Sequence, residues 1–162
     1  MNAKQLKAII TTVLTLLGKY SAEAVDLLML TAAQESHCGK YIRQLGNGPA
    51  RGIFQIEPAT LTDLYTNFLA YHDDLSNILL QFRTPQHIEM DLEGNLLYQI
   101  ASARLQYLRK PGAIPKYEDY DDDYAYVEGL AKYWKRHWNT ELGAGTVDEA
   151  MQNYYRYVKD AA

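Results

Sequence analysis

The chain is poor in cysteine and has no long apolar run. Cys38 is its only cysteine, which excludes an internal disulfide framework and is compatible with synthesis in a reducing compartment. An apolar stretch at residues 8–17 falls short of the roughly 20 residues that span a bilayer. It also contains three threonines and is followed by no clear small-residue cleavage site. We therefore interpret it as a core-facing first helix and not as a signal peptide, and we expect no stable membrane insertion.

Positive charge and metal-binding motifs are also scarce. Lysine and arginine number 16 against 20 acidic residues, and the net charge of −4 excludes a broad attraction to nucleic acid. The four histidines form no His-x-x-x-His pair, and no phosphate loop or Gly-x-Ser-x-Gly motif is present. The acidic run at residues 118–123 lacks the alternating order of a calcium loop, so we interpret it as a solvated connector. We expect neither a metal site nor a cofactor.

Apolar and tyrosine residues are plentiful. The hydrophobic fraction of 48% in 162 residues suits one domain with a single core, so we expect residues 1–162 to form one domain. Fourteen tyrosines stand against three phenylalanines. This excess is typical of buried hydroxyls with partners or of a wet, amphipathic groove such as a sugar-binding cleft, and the composition leaves both open.

Capping residues, glycines and prolines predict a mainly α fold of about seven to nine helices. Ser21 is a cap for the second helix, Pro58 is a first-turn proline, and Thr146 with Glu149 forms a capping box. The helix over 95–109 is predicted to be amphipathic, with Leu97 on its packing side. Residues 38–56 are predicted to be irregular or to hold a short hairpin. The predicted helices cover 3–17, 22–37, 59–70, 75–82, a segment starting at Thr84-Pro85, 95–109, 124–138 and a last one from Thr146.

Glu35 is the candidate general acid. Val25, Leu28 and Ala32 precede it at helical spacing, so Glu35 extends the stripe that should face the core. A carboxyl group there loses water, and this loss raises its pKa toward the range in which it holds a proton near neutral pH. The other interpretation is a solvated glutamate at a helix end, paired with Lys40 or Arg43.

The segment that follows supplies partners for such an acid. Gly52-Ile53-Phe54-Gln55 offers a flexible backbone position, two apolar anchors and an amide that both donates and accepts hydrogen bonds. Recognition of an N-acetyl group or of a hydroxyl group requires such an amide.

Three short motifs carry a resemblance to a known family. Glu35-Ser36, Gly52-Ile53-Phe54-Gln55 and Pro58-Ala59-Thr60 resemble the Glu-Ser, Gly-Leu-Met-Gln and Pro-Ala-Thr motifs of the soluble lytic transglycosylase family, at matching spacing. The resemblance implies a lysozyme-like fold of the α+β lysozyme superfamily. It also implies cleavage of peptidoglycan glycan strands, the expected partner, between N-acetylmuramic acid and N-acetylglucosamine.

The same resemblance implies roles for individual residues. Glu35 is expected to be the catalytic acid and base, Ser36 and Gln55 are expected to be polar groups of the sugar cleft, and Ile53 and Phe54 are expected to shape it. A later family motif, Ala-x-Tyr-Asn, is best matched by residues 131–134, where Trp134 replaces the asparagine. It assigns Tyr133 to the cleft, although a core tyrosine explains the pattern as well.

The identity of the nucleophile stays open. In lytic transglycosylases it is the C6 hydroxyl of the muramic acid, whereas a hydrolase needs an ordered water, often held by a second carboxylate about 6.5–9.5 Å from the acid. Glu57 and Asp63 are the nearby candidates, and Glu57 stands where the family usually has an apolar residue. Its other interpretation is a charge at a helix N-terminus.

The biological setting is expected to follow from the family. We expect a monomeric phage muralytic enzyme, either an endolysin or a virion-associated protein. It would be made in the bacterial cytoplasm and would act on peptidoglycan in the periplasm or wall. The alternatives are a muramidase, which is a hydrolase of the same fold, and a non-catalytic peptidoglycan-binding or virion structural protein.

Overall fold

Helices dominate the computed structural model, which describes residues 1–84 and 87–161. The mainly α prediction is confirmed, because eight α-helices lie in the described residues. Extended pairing there is limited to two isolated bridges, which join Arg51 to Arg43 and to Ile56 in the predicted irregular segment. The α-helices are α1 (Ala3–Leu16), α2 (Ala22–Ser36), α3 (Pro58–Asn67), α4 (Asp73–Phe82), α5 (Ile88–Gly94), α6 (Leu96–Leu108), α7 (Asp123–Trp134) and α8 (Val147–Tyr154).

The capping residues act as the sequence predicts. The Ser21 side chain accepts a hydrogen bond from the Ala24 backbone at the start of α2, and α8 begins with the Thr146–Glu149 capping box. Of the predicted start at Thr84-Pro85, Pro85 lies outside the described residues, and α5 begins at Ile88.

Two helices change geometry at their C-terminal ends. α7 continues as a π-helical turn at Lys135–Asn139, and α8 continues as another at Tyr155–Lys159. The sequence predicts one uninterrupted helix over 124–138, so the π turn is a departure. Such turns are frequent at functional sites because they redirect the side chains that follow.

α2 is the central helix. It packs against α1, α6, α7 and α8. Its Leu27-Leu28-Met29-Leu30 run is at most 1% exposed, so the helix is buried nearly all round. Because these neighbours surround most of α2, Glu35 in its last turn is partly buried.

The predicted amphipathic pattern of α6 is wrong in detail. Leu97 is 46% exposed, whereas the polar Gln99 and Gln106 are only 3% and 4% exposed. Both amides are buried because they find partners: the Ile53 N–H donates to Gln99 Oε1 at 2.9 Å, and Gln106 Nε2 donates to the Thr60 carbonyl at 3.1 Å. α6 therefore binds two neighbouring parts of the chain, the turn that contains Ile53 and the first turn of α3.

Length and polarity together rule out a bilayer-crossing helix among residues 1–84 and 87–161.

Candidate active site

A cleft of about 590 Å³ lies beside the C-terminal end of α2. Its walls come from that helix end, the loop after it, the start of α3, the end of α6 and the π turn after α7. Residues that are far apart in sequence therefore meet in one cavity. Its lining includes Gln34, Glu35, Tyr41, Gln55, Glu57, Arg109, Lys110, His137, Trp138 and Asn139.

Glu35 lies in this wall as the penultimate residue of α2. Burial raises the pKa of its carboxyl group to about 7, while a hydrogen bond from Trp134 lowers it. Desolvation prevails because the apolar surroundings of α2 disfavour the charged form more than one donor stabilises it. The carboxyl group therefore holds a proton near neutral pH and borders the cleft. The ion pair considered for it with Arg43 is not formed, because Arg43 binds Glu93 at 2.9 Å.

Trp134 is the hydrogen-bond partner of Glu35. Its Nε1–H donates to Glu35 Oε1 at 3.0 Å, across 99 positions of sequence. The ring is 0% exposed. The sequence left open whether Trp134 lines a cleft or packs inward, and it predicted no contact with Glu35. Val127, Leu130 and Ala131 precede Trp134 at helical spacing, in agreement with its burial.

Ser36 lies beneath the cleft instead of lining it. Its hydroxyl group donates to the Ile53 carbonyl at 2.6 Å and accepts from the Gly39 N–H at 2.9 Å, and the residue is 0% exposed. Ser36 therefore joins the end of α2 to the turn at 52–55. In this structure it has no surface with which to contact a sugar.

Ile53 and Phe54 also support the cleft from below. They are 2% and 0% exposed and belong to the core, and neither lines the cavity. The resemblance placed them in the wall of the cleft, and the structure places them behind it. Their burial anchors the turn that presents Gln55.

Gln55 lines the cleft. Its Nε2 donates to the Gly52 carbonyl at 2.8 Å, which orients the amide and leaves the side-chain oxygen free of partners among the described residues. The turn depends on Gly52, whose φ is +77° and where an added Cβ would lie 2.2 Å from the Leu92 carbonyl oxygen. A close approach of the backbone to Leu92 of α5 therefore fixes the position of the amide.

Tyr133 is a core residue and does not line the cleft. It is 9% exposed, its hydroxyl group donates to the Gly112 carbonyl at 3.1 Å, and its ring packs against Tyr107 and His137. Of the two interpretations that the sequence left open, the structure favours the core tyrosine. The next residue, Trp134, is the one that contacts Glu35.

Only one of the two candidate second carboxylates borders the cleft. Glu57 is exposed, lines the cavity and makes no side-chain cap to α3. Asp63 instead pairs with Arg109 at 2.6 Å, and the hydrogen bond from Arg109 holds the pKa of Asp63 below its usual range. Glu57 is therefore the carboxylate available to a molecule in the cleft.

A lysine clasp, formed by Lys135, holds the loop at 140–145 beside Trp134 and the end of α2. Lys135 Nζ donates to Asn139 Oδ1 at 2.6 Å and to the carbonyls of Gly143 and Gly145 at 2.8 and 2.7 Å. An added Cβ at Gly145 would lie 2.7 Å from Trp134 Cη2, so the absence of a side chain lets the loop at 140–145 rest on the Trp134 ring. The clasp, the loop and Trp134 form one unit behind Glu35.

The described part of the chain contains no group of three or more His, Cys, Asp or Glu side chains arranged to hold a metal ion. Comparison with family models, with curated proteins and with solved structures finds no match to this chain.

Proposed function

We propose that this protein cleaves the β-1,4 bond between N-acetylmuramic acid and N-acetylglucosamine in peptidoglycan, with Glu35 as the acid and base. One observation carries the proposal: a carboxyl group with a pKa of about 7 borders a cleft large enough for sugar rings. An acid that is half protonated near neutral pH is matched to proton donation and to proton removal within one reaction cycle. The motif resemblance and the mainly α fold agree with this proposal.

The proposed reaction has two proton transfers. Glu35 donates its proton to the bridging oxygen as the glycosidic C–O bond breaks and positive charge develops on the sugar ring. The carboxylate that remains then accepts the proton of the nucleophile as the new C–O bond forms. Glu35 thus returns to its protonated state, and no other group need titrate.

Polar and aromatic side chains around Glu35 suit a sugar. Gln55 presents an amide oxygen, and Tyr41 and Trp138 contribute rings that line the cleft. Such rings pack on the apolar faces of sugars while amides bind the N-acetyl groups and hydroxyls. The Trp138 ring is itself supported by Tyr107, with ring centroids 5.0 Å apart.

The proposed enzyme is a lytic transglycosylase. The C6 hydroxyl of the muramic acid is its nucleophile, and its products carry 1,6-anhydro ends. Glu57 favours a second candidate, a muramidase, because an exposed carboxylate in the cleft can orient a water. As a setting we propose a monomeric phage muralytic protein that acts in the periplasm or wall.

Digestion of isolated murein by the purified protein tests the proposal. We expect soluble products from the wild type and a rate at least about a hundredfold lower from Glu35→Gln, which keeps the shape but cannot transfer a proton. Products lighter than reducing ends by one water identify the transglycosylase. If the wild type produces reducing ends and Glu57→Gln does not, the enzyme is a hydrolase that uses Glu57.

Two results would reject the proposal, the first by excluding cleavage and the second by excluding Glu35 as the acid. If the folded wild type binds murein without releasing products, the protein is a binding or structural module. If Glu35→Gln digests murein as fast as the wild type, another group performs the chemistry.

A further inference from the structure

We propose that Trp134 is a positioning residue that determines which oxygen of the Glu35 carboxyl group carries the transferable proton. This inference rests on the proposed role of Glu35 as the acid. It concerns the hydrogen bond of 3.0 Å between Trp134 Nε1 and Glu35 Oε1. The family motif has an asparagine at the Trp134 position, so the resemblance does not supply this contact.

The chemistry of indole makes the contact directional. The Nε1–H group of tryptophan donates a hydrogen bond and cannot accept one. In a protonated carboxyl group, the carbonyl oxygen is the better acceptor and the other oxygen carries the proton. A donor directed at Oε1 therefore favours the carbonyl character of Oε1 and places the proton of Glu35 on Oε2.

Burial determines which oxygen faces the substrate. Trp134 is 0% exposed and does not line the cleft, so Oε1 points toward the protein interior. Oε2 makes no hydrogen bond with the described residues. It is also not fully buried, so part of its surface is exposed. The proton is thus carried by the oxygen that the cleft can reach.

The Trp134 ring is held in place by its surroundings. Gly145 lies against the ring, since an added Cβ there would lie 2.7 Å from Cη2. Lys135 in turn binds the Gly145 carbonyl at 2.7 Å. A ring enclosed in this way keeps the direction of its N–H through both proton transfers, which is the pre-organisation that catalysis by a single carboxyl group needs.

The same bond serves both halves of the reaction. Burial raises the pKa of Glu35 and the Trp134 hydrogen bond lowers it, so the two effects together set the value of about 7. Without the donor, the carboxylate left after the first proton transfer would be less stable. Trp134 therefore keeps Glu35 acidic enough to release its proton.

Nuclear magnetic resonance of the indole N–H groups tests this inference in the resting protein. The chain has two tryptophans, so ¹⁵N labelling gives two indole signals. Between about pH 5 and pH 9 we expect the Trp134 signal to shift with a midpoint near 7, the pKa of Glu35. In Glu35→Gln that shift should be lost. Trp138, whose indole makes no hydrogen bond to Glu35, is the internal reference and should shift less.

A variant gives a second readout. Trp134→Phe removes the donor and keeps an aromatic ring, so the pKa of Glu35, measured by ¹³C labelling of its carboxyl group, should rise. For murein cleavage we expect kcat to fall roughly ten- to a hundredfold, the effect of losing a hydrogen bond to a charged group, with little change in KM. The basic limb of the pH profile should move to higher pH.

The outcomes separate the inference from the proposed function. A Trp134 signal that stays constant in the wild type, or shifts equally in Glu35→Gln, overturns the inference even if the wild type cleaves murein. An inactive wild type whose Trp134 signal follows Glu35 overturns the function and leaves the hydrogen bond in place. Because the titration uses only the wild type and Glu35→Gln, it decides the matter even if Trp134→Phe does not fold.

Discussion

At the scale of residues, the proposed chemistry depends on the carboxyl group of Glu35, which borders the cleft. Glu35 owes its raised pKa to the burial of α2, and the Trp134 hydrogen bond opposes the shift without cancelling it. A surface glutamate would be charged at neutral pH and could not act as an acid. The properties of Glu35 therefore follow from where the chain places it.

The raised pKa predicts a pH-dependent stability. The unfolded chain releases the Glu35 proton near its ordinary pKa of 4.5, whereas the folded protein retains it up to about 7. Between these values the folded state binds more protons, so the free energy of unfolding falls as pH rises, by about 3 kcal/mol from this group.

Urea unfolding at pH values on both sides of this window measures the effect. Glu35→Gln has no proton to lose at this position, so its stability relative to the wild type should improve as pH rises from about 5 to about 8. If the difference in free energy of unfolding between the wild type and Glu35→Gln stays constant over this range, the pKa of Glu35 is not raised.

At the scale of elements, the segment from 52 to 55 depends on backbone geometry. Gly52 combines a φ of +77° with overlap, because an added Cβ would lie 2.2 Å from the Leu92 carbonyl oxygen and 2.6 Å from Gln99 Oε1. Gly18 has a similar φ of +66° but nothing within 4 Å of an added Cβ. Comparing Gly18 with Gly52 therefore separates the cost of backbone strain from the cost of steric overlap.

We predict that Gly18→Ala costs about 1 kcal/mol and that Gly52→Ala costs more than about 3 kcal/mol in the free energy of unfolding. The smaller cost reflects the left-handed backbone alone. Denaturant unfolding of both variants checks the difference. Equal losses would show that the turn at 52–55 does not pack against α5 and α6 as described.

The lysine clasp is expected to stabilise the loop at 140–145 and to contribute little to the stability of the whole domain. Lys135→Met removes three hydrogen bonds to Asn139, Gly143 and Gly145. Opening of the loop at 140–145 should become roughly ten- to a hundredfold more frequent, seen as faster amide hydrogen exchange there. Lys132→Met, in the last turn of α7, is the matched control, since Lys132 forms an exposed pair with Glu128. Equal exchange in both variants would contradict the clasp.

The predictability of these elements differs for physical reasons. The starts of α2 and α8 follow from local caps, and the burial of Glu35 follows from helical spacing. The polar faces of α6 could not be predicted, because Gln99 and Gln106 are buried only through partners that lie 46 positions away. The Trp134 contact likewise depends on how α7 packs against α2. Ser36 shows the same limit, because its hydroxyl group binds the turn beneath the cleft.

At the scale of the whole molecule, the cleft exists because the loop after α2, the start of α3, the end of α6 and the π turn after α7 converge on the end of α2. Of these side chains, Glu57, Arg109 and Lys110 bring charges of both signs to the cavity. A chain of net charge −4 therefore has lysine and arginine side chains beside the candidate acid. The proposed peptidoglycan substrate would meet these cations in the cleft.

The most direct test of the account compares two titrations of the same protein. We predict that kcat/KM for murein cleavage falls as pH rises, with an apparent pKa of about 7 that matches the titration of the Glu35 carboxyl group in the free protein. The fall occurs because only the protonated acid can donate to the bridging oxygen. A cleavage rate that does not change from about pH 6 to pH 8, or a limb that does not coincide with the titration of Glu35, would contradict the account.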